Sequence, residues 1–272
     1  MIEGTNSTSK NIYFVRHGER IDWVDSNWVQ TAEQYIDPPL SPHGIQQAKE
    51  LAVHIAEHQS GFTYIYSSPF LRTIQTALSI AIELNKKRAS SSENWIKIRI
   101  EPGYSEYLLC EAAEHEKQVF TPRYTLPQVL KCIEYFDQDY DGIIDANYYS
   151  NTKLESHEQL RERLQRTMQG ILNNHRENCN IIIVTHAAPL IEASRAVLSM
   201  NEKRCMPTIN TEMIPNTVWN LCPIRAGVCS LTHLELINDS WTIIKNGCTS
   251  HLSDGEQNIW YFPSDSYLYE NL

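Results

Sequence analysis

Positive charge is scarce in this 272-residue chain: 23 Lys and Arg stand against 33 Asp and Glu, a formal charge of −10. Such a balance repels nucleic acid and anionic membranes unless a local basic patch overrides it. Direct nucleic-acid binding and membrane attachment are therefore not expected, and an anionic ligand needs a focused positive pocket. The seven cysteines are odd in number and none forms a CxxC pair, which argues against a disulfide framework or a zinc ribbon. Free thiols in a reducing compartment, cytoplasmic or nuclear, fit better. Met1 to Lys10 lacks the apolar run of a secretory leader, and no stretch approaches the length of a membrane-spanning helix. Internal repeats are absent too. What remains, 42% hydrophobic and 21% charged, is ordinary globular composition, read here as one domain over 1–272.

The chain is organised around Ile12-Tyr13-Phe14-Val15-Arg16-His17-Gly18-Glu19-Arg20. Four apolar residues, too few for a helix and rich in β-formers, run into a cation, an imidazole and a glycine where the chain must turn. Further strands are expected at 62–66, 95–100 and 181–184, with a late pair at 228–236 and 241–245 joined by an Asn238-Asp239 turn. Between them lie helical patterns. Ser41 and Pro42 open one, as N-cap and first helical residue. A second follows Ser67-Ser68-Pro69, a third covers 157–172 and a fourth runs from Pro189 to Leu198. Alternating strands and helices predict an α/β fold: a mostly parallel central sheet with helices on both faces and an antiparallel edge near the C-terminus. Residues 22–39 read as a polar loop. Residues 111–152, rich in Tyr, Asp, Glu and Pro, read as a cap insertion over the active-site edge, with a short helix across 126–136.

In a parallel sheet the strand ends share one edge, where open α/β sheets place their chemistry. That edge would collect Arg16, His17 and Arg20 after the first strand, Arg72 after the second, Glu106 after the third and His186 after the fourth. Guanidinium forks match phosphate oxygens and stay charged. An imidazole with one free nitrogen can attack phosphorus, and a second histidine can stabilise the equatorial oxygens. A leaving oxygen needs a proton, which a carboxylic acid can give before it activates water. No metal or other cofactor is required by this set.

These residues fall into recognisable motifs. Arg16-His17-Gly18, Leu40-Ser41-Pro42-His43-Gly44-Ile45-Gln46-Gln47-Ala48, Ser67 to Ala77 and Val184-Thr185-His186 together resemble the histidine phosphatase superfamily, the phosphoglycerate mutase-like fold. Glu19-Arg20 and Glu101-Pro102-Gly103-Tyr104-Ser105-Glu106-Tyr107 look like its protein tyrosine phosphatase-type branch. That branch includes the suppressor of T-cell receptor signalling proteins and a fungal subunit of an RNA polymerase III assembly factor. The resemblance implies a phosphomonoesterase working through a phosphohistidine at His17. Arg16, Arg20, Arg72 and His186 would hold the phosphoryl group, and Glu106 would be the general acid. The implied substrate is a phosphopeptide or small phosphate ester, with phosphotyrosine or another aryl phosphate favoured by Trp23, Trp28, Tyr104 and Tyr107 if they line the crevice. The alternatives are a scaffold or regulatory subunit in a transcription complex, with a protein partner there, and a small-metabolite phosphatase or mutase.

Three features carry a plainer reading. Arg20 has a neighbour, Glu19, that could simply pair with it. Asp137 to Asp145 imitates a calcium loop, but position twelve is Tyr148 rather than glutamate, so we read an acidic solvated loop. His43, His54, His58, His115 and His175 read as surface or helix-face residues.

Overall fold

The computed structural model describes residues 10–107 (except 34, 36, 60, 87 and 89–91), 130–145, 148, 154–175, 179–200 and 222–268. The elements run β1 (Asn11–Arg16), α1 (Ile21–Val24), α2 (Trp28–Thr31), α3 (Pro42–His58), β2 (Phe62–Ser67), α4 (Leu71–Asn85), β3 (Ile98–Ile100), α5 (His157–Asn174), β4 (Asn180–Thr185), α6 (Ala187–Ser199), β5 (Leu231–Ile237) and β6 (Ser240–Cys248). They build a six-stranded sheet in the order β3-β2-β4-β1-β5-β6. The first four strands of that order are parallel, and β5 and β6 add the antiparallel edge. The expected α/β class and mixed sheet are therefore observed.

Both faces of the central strands are buried, which is why they read as unbroken apolar runs. Ile12, Phe14, Ile181 and Ile183 point into one core with Leu164 and Met168 of α5 and Leu190 and Val197 of α6. Tyr13, Val15, Ile182 and Val184 point into the other with Leu51 and Ile55 of α3 and Ile74 and Ile80 of α4. The helix starts follow local chemistry. Ser41 Oγ accepts from Gly44 N with Pro42 in the first turn of α3, and Ser156 and Gln159 form a reciprocal capping box on α5.

Several boundaries differ from expectation. Residues 22–39 are not wholly loop: α1 and α2 are single helical turns. The third strand shortens to Ile98–Ile100, because Trp95 leaves the sheet and stacks on Tyr135 at 4.7 Å. Helix α6 begins at Ala187, two residues before Pro189, since proline in a first turn gives up no intrahelical bond. The fifth strand starts at Leu231, because Cys229 has a positive φ of 48° that breaks extension. Asn238 and Asp239 form the hairpin turn, with φ of 49° and 60°.

Of the expected insertion at 111–152, residues 111–129 lie outside the described residues, as does the start of the helix expected at 126–136. Its end is a 3₁₀ turn, Ile133–Tyr135. Phe136 then bridges Ile98 beside β3. The calcium-like loop is committed elsewhere: Arg99 Nε donates to Asp137 Oδ2 at 2.8 Å. The Ile143 and Ile144 amides and the Tyr140 hydroxyl all donate to the buried carboxylate of Glu101.

Candidate active site

The site grows from the register of two neighbouring strands. Arg16 of β1 lies opposite Thr185 of β4, so His17 and His186 are the next residues along. Their rings stand 5.2 Å apart. Gly18 then lets the chain drop onto the start of α3. A Cβ there would come within 2.6 Å of Gly44 O, and a Cβ on Gly44 within 2.2 Å of Glu19 O. Glu19 is consumed in this contact rather than by Arg20: its Oε1 accepts from Ser41 Oγ at 2.6 Å, and its Oε2 lies 3.4 Å from His43. Arg20 pairs instead with Asp22, through bonds of 2.9 and 2.5 Å.

Both histidines are buried and oriented. His17 Nδ1 is 2.7 Å from Gly18 O. A carbonyl only accepts, so the proton sits on Nδ1 and the Nε2 lone pair is free. His186 Nε2 meets Ser68 Oγ at 2.8 Å, and its Nδ1 stands 3.2 Å from Glu106 Oε2. Glu106 Oε2 also accepts from Arg72 Nη2 at 3.2 Å. Arg72 reaches back to Asp37, whose two carboxylate oxygens accept from Leu71 N at 3.0 and 3.1 Å. Asp37 thus caps α4, where Phe70 offers no side-chain acceptor. Arg16 is held from the other end of the chain: its Nη1 donates to Ala226 O at 2.7 Å and Asn258 O at 2.5 Å. The Nε donors of Arg16 and Arg72 are buried with no acceptor among the described residues, which is how a site for an oxyanion presents itself.

Desolvation lowers the His17 pKa well below its ordinary value, and the charges of Arg72, His186 and Arg16 push the same way. The ring is neutral at physiological pH. Desolvation also takes His186 down to about 4, against the pull of Glu106. Burial alone would raise the Glu106 carboxyl, but His186, Arg72 and His17 outweigh it and hold the pKa well below the carboxylate range. Burial brings Arg16 down to about 10, still a cation at neutral pH. The N-termini of α4 and α6 open on the same edge and add to the positive field. Among the described residues, His17, Glu106 and His186 are a trio with ligating atoms within 4.8 Å of one another. Their spacing would admit a metal ion, but the guanidinium groups around them favour an anion.

All six residues expected at the site are therefore on one edge. Of the other carboxylates near Glu106 in the sequence, Glu101 is buried in its loop contacts, and Glu111 and Glu114 lie outside the described residues. Of the aromatic candidates, Trp23 is at the site, 6.1 Å from the His17 ring. Tyr104 is not: it is fully buried and its hydroxyl donates to Met168 Sδ. Tyr107 turns toward Phe262 and His157, and Trp28 sits half-buried on α2 with no ring contact to the site among the described residues. His175 is buried beneath the sheet against Tyr64 and Tyr66 rather than on the surface, because α5 ends there. His54 and His58 stay on the outer part of α3, where His54 stacks with His251, and His43 bridges Glu19 and Asp254. His115 lies outside the described residues. Sequence reasoning missed Asp22, Asp37 and Ser68. Only Asp37, just ahead of Pro38-Pro39 and a helix, left a signal, as a carboxylate near helix starts.

The chain is similar to known proteins over much of its length. Residues 12–104 match the model of the Histidine phosphatase superfamily (branch 1). The chain is 24% identical to the Transcription factor tau 55 kDa subunit of Saccharomyces cerevisiae, over 92% of this chain and 58% of that protein. It is 29% identical to the Ubiquitin-associated and SH3 domain-containing protein A of Mus musculus, over 72% of this chain and 34% of that protein. The chain thus spans between a third and three fifths of these relatives. Its fold is that of the ecdysone phosphate phosphatase of Bombix mori, solved in complex with tungstate: TM-score 0.67 and 18% identity, over 92% of this chain and 97% of that one. Among the described residues no helix is long and apolar enough to cross a membrane.

Proposed function

From the chain's likeness to the histidine phosphatase superfamily over residues 12–104, we infer that it hydrolyses phosphate monoesters through a phosphohistidine at His17, without a metal. The observation that carries this reading is the Nδ1–H of His17 fixed on Gly18 O at 2.7 Å, which leaves Nε2 unprotonated among three arginines. In the first step the Nε2 lone pair forms a bond to phosphorus while the bond to the leaving oxygen breaks. Arg16, Arg20, Arg72 and His186 stabilise the equatorial oxygens, and Glu106 gives its proton to the leaving oxygen. In the second step water attacks the phosphohistidine, its proton passes to Glu106, and orthophosphate departs. A dianion set among these cations cancels much of their field, so substrate binding itself restores the proton affinity that Glu106 lacks beforehand.

The finer reading is an aryl phosphate, phosphotyrosine included, supported by an aromatic ring at the cradle. The test of the mechanism is a burst of p-nitrophenyl phosphate with mass-spectrometric mapping of the trapped enzyme. An acid-labile phosphoryl group on His17, and loss of turnover in His17→Ala, are expected. A fully active His17→Ala protein sinks the mechanism.

A second reading rests on the likeness, over nearly the whole chain, to the transcription factor tau subunit. On it the chain binds a protein partner in a nuclear transcription complex, and the phosphatase site is retained alongside. Affinity purification that recovers such a complex, with His17→Ala as well as with the native chain, supports it.

A further inference from the structure

The one-turn helix α1 buries none of its residues, yet it is firmly placed. The Ile21 amide donates to Pro39 O at 3.0 Å, and Arg20 forms a bridge with Leu40. This turn carries Trp23, whose indole is 40% exposed. It lies 5.7 Å from the Arg16 guanidinium and 5.2 Å from that of Arg20. A large aromatic side chain that serves no core and lies against two of the phosphate-site cations calls for an explanation. Transfer to His17 in line puts the leaving oxygen on the far side of phosphorus from that ring, where a leaving group meets the residues that border the paired histidines. Among the described residues two aromatic rings adjoin the paired histidines: Trp23, and Phe70, which packs on His186 at 4.9 Å but is only 7% exposed. Only Trp23 is open enough to meet a ring that leaves the cradle. Val24, Val29 and Tyr35 of the same segment are exposed as well.

We propose that Trp23 is the specificity-determining residue for the leaving group, selecting phosphomonoesters whose leaving group is a flat aromatic ring. This rests on the phosphatase reading above and adds to it a residue and a rule of discrimination. Offset or edge-on aromatic contact, with the area it buries, is worth about a five- to tenfold preference. The preference is preorganised, because α1 is pinned at Pro39 and Leu40 before any substrate arrives.

The experiment compares kcat/KM for phenyl phosphate and propyl phosphate, and calorimetric affinities for phenylphosphonate and propylphosphonate, in the native chain, Trp23→Ala and Trp23→Phe. The expected result is an aryl-to-alkyl ratio that falls five- to tenfold in Trp23→Ala, in turnover and in binding, and is largely kept by Trp23→Phe. An unchanged ratio overturns the proposal, including the case where both substrates lose equally because Trp23 merely props Arg16 and Arg20. If the native chain binds both phosphonates but turns over neither ester, the phosphatase reading fails, and the affinity ratio still decides the role of Trp23.

Discussion

Two demands on Glu106 look incompatible. Its carboxylate lies 3.2 Å from both Arg72 and His186, so it rests ionised, yet a general acid must carry a proton. The conflict disappears if the substrate's own charge displaces the carboxylate from these cations. The consequence can be read from the leaving group. In Glu106→Gln, kcat for an alkyl phosphate should drop by about 10²–10⁴, because its alkoxide cannot leave without a proton. For p-nitrophenyl phosphate, whose leaving oxygen is stable as an anion, the first step should be nearly spared. Pre-steady-state release of p-nitrophenol measures it, and an equal loss on both esters rules out the acid role. His186 has no comparable freedom: it is buried between Ser68 and Glu106, and as a neutral ring it can donate a hydrogen bond but has no proton to spare.

The helices matter to the site through their first residues. Helix α4 begins with no side-chain cap of its own, and Asp37, 34 residues earlier, caps it while gripping Arg72. Asp37→Ala leaves a buried amide and one side of a buried guanidinium unpaired, at a cost of about 1–3 kcal/mol. Melting should fall by several degrees, and KM for a phosphate ester should rise more than kcat falls, since Arg72 loses its anchor but not its charge. Unchanged KM with lowered stability would confine Asp37 to capping. This arrangement also explains what could be read beforehand. Strands β1 and β4 and helix α3 carry their instructions locally, as apolar runs, a serine cap and a proline, and they were legible. So were the six residues at the strand ends, because parallel topology alone gathers them. The grip of Asp37 on Arg72, of Ala226 and Asn258 on Arg16, and of Glu101 on the 140–144 loop each join residues far apart in the chain, with no local pattern to announce them. The shortening of β3 has the same origin, a stacking partner for Trp95 that lies forty residues on.

Taken whole, a chain of net charge −10 gathers three arginines at one sheet edge and carries several histidines held neutral. His54, His175, His186 and His233 are brought down to about 4, chiefly by desolvation. Desolvation lowers His17 and His251 as well. In the unfolded chain each would titrate near 6.5, so between pH 6.5 and 4 the unfolded state binds more protons, and stability falls as pH falls. The loss begins below the unfolded value and is complete once pH drops beneath the folded one. His43 acts in the opposite sense, since Glu19 and Asp254 outweigh desolvation and raise it, but it is a partly exposed residue and contributes little. With the more open histidines discounted for solvent screening, each buried one withdraws about 1 kcal/mol between pH 7.5 and 5. For a chain of this length the sum should lower Tm by roughly 5–15 °C. Differential scanning calorimetry across that range measures it. His175→Gln, which keeps a polar partner for the Tyr66 hydroxyl but cannot titrate, should flatten the slope by one histidine's share. A Tm that holds level from pH 7.5 to 5 in the native chain would mean that these rings take up protons without unfolding, and the neutral state assigned to His17 would fall with them.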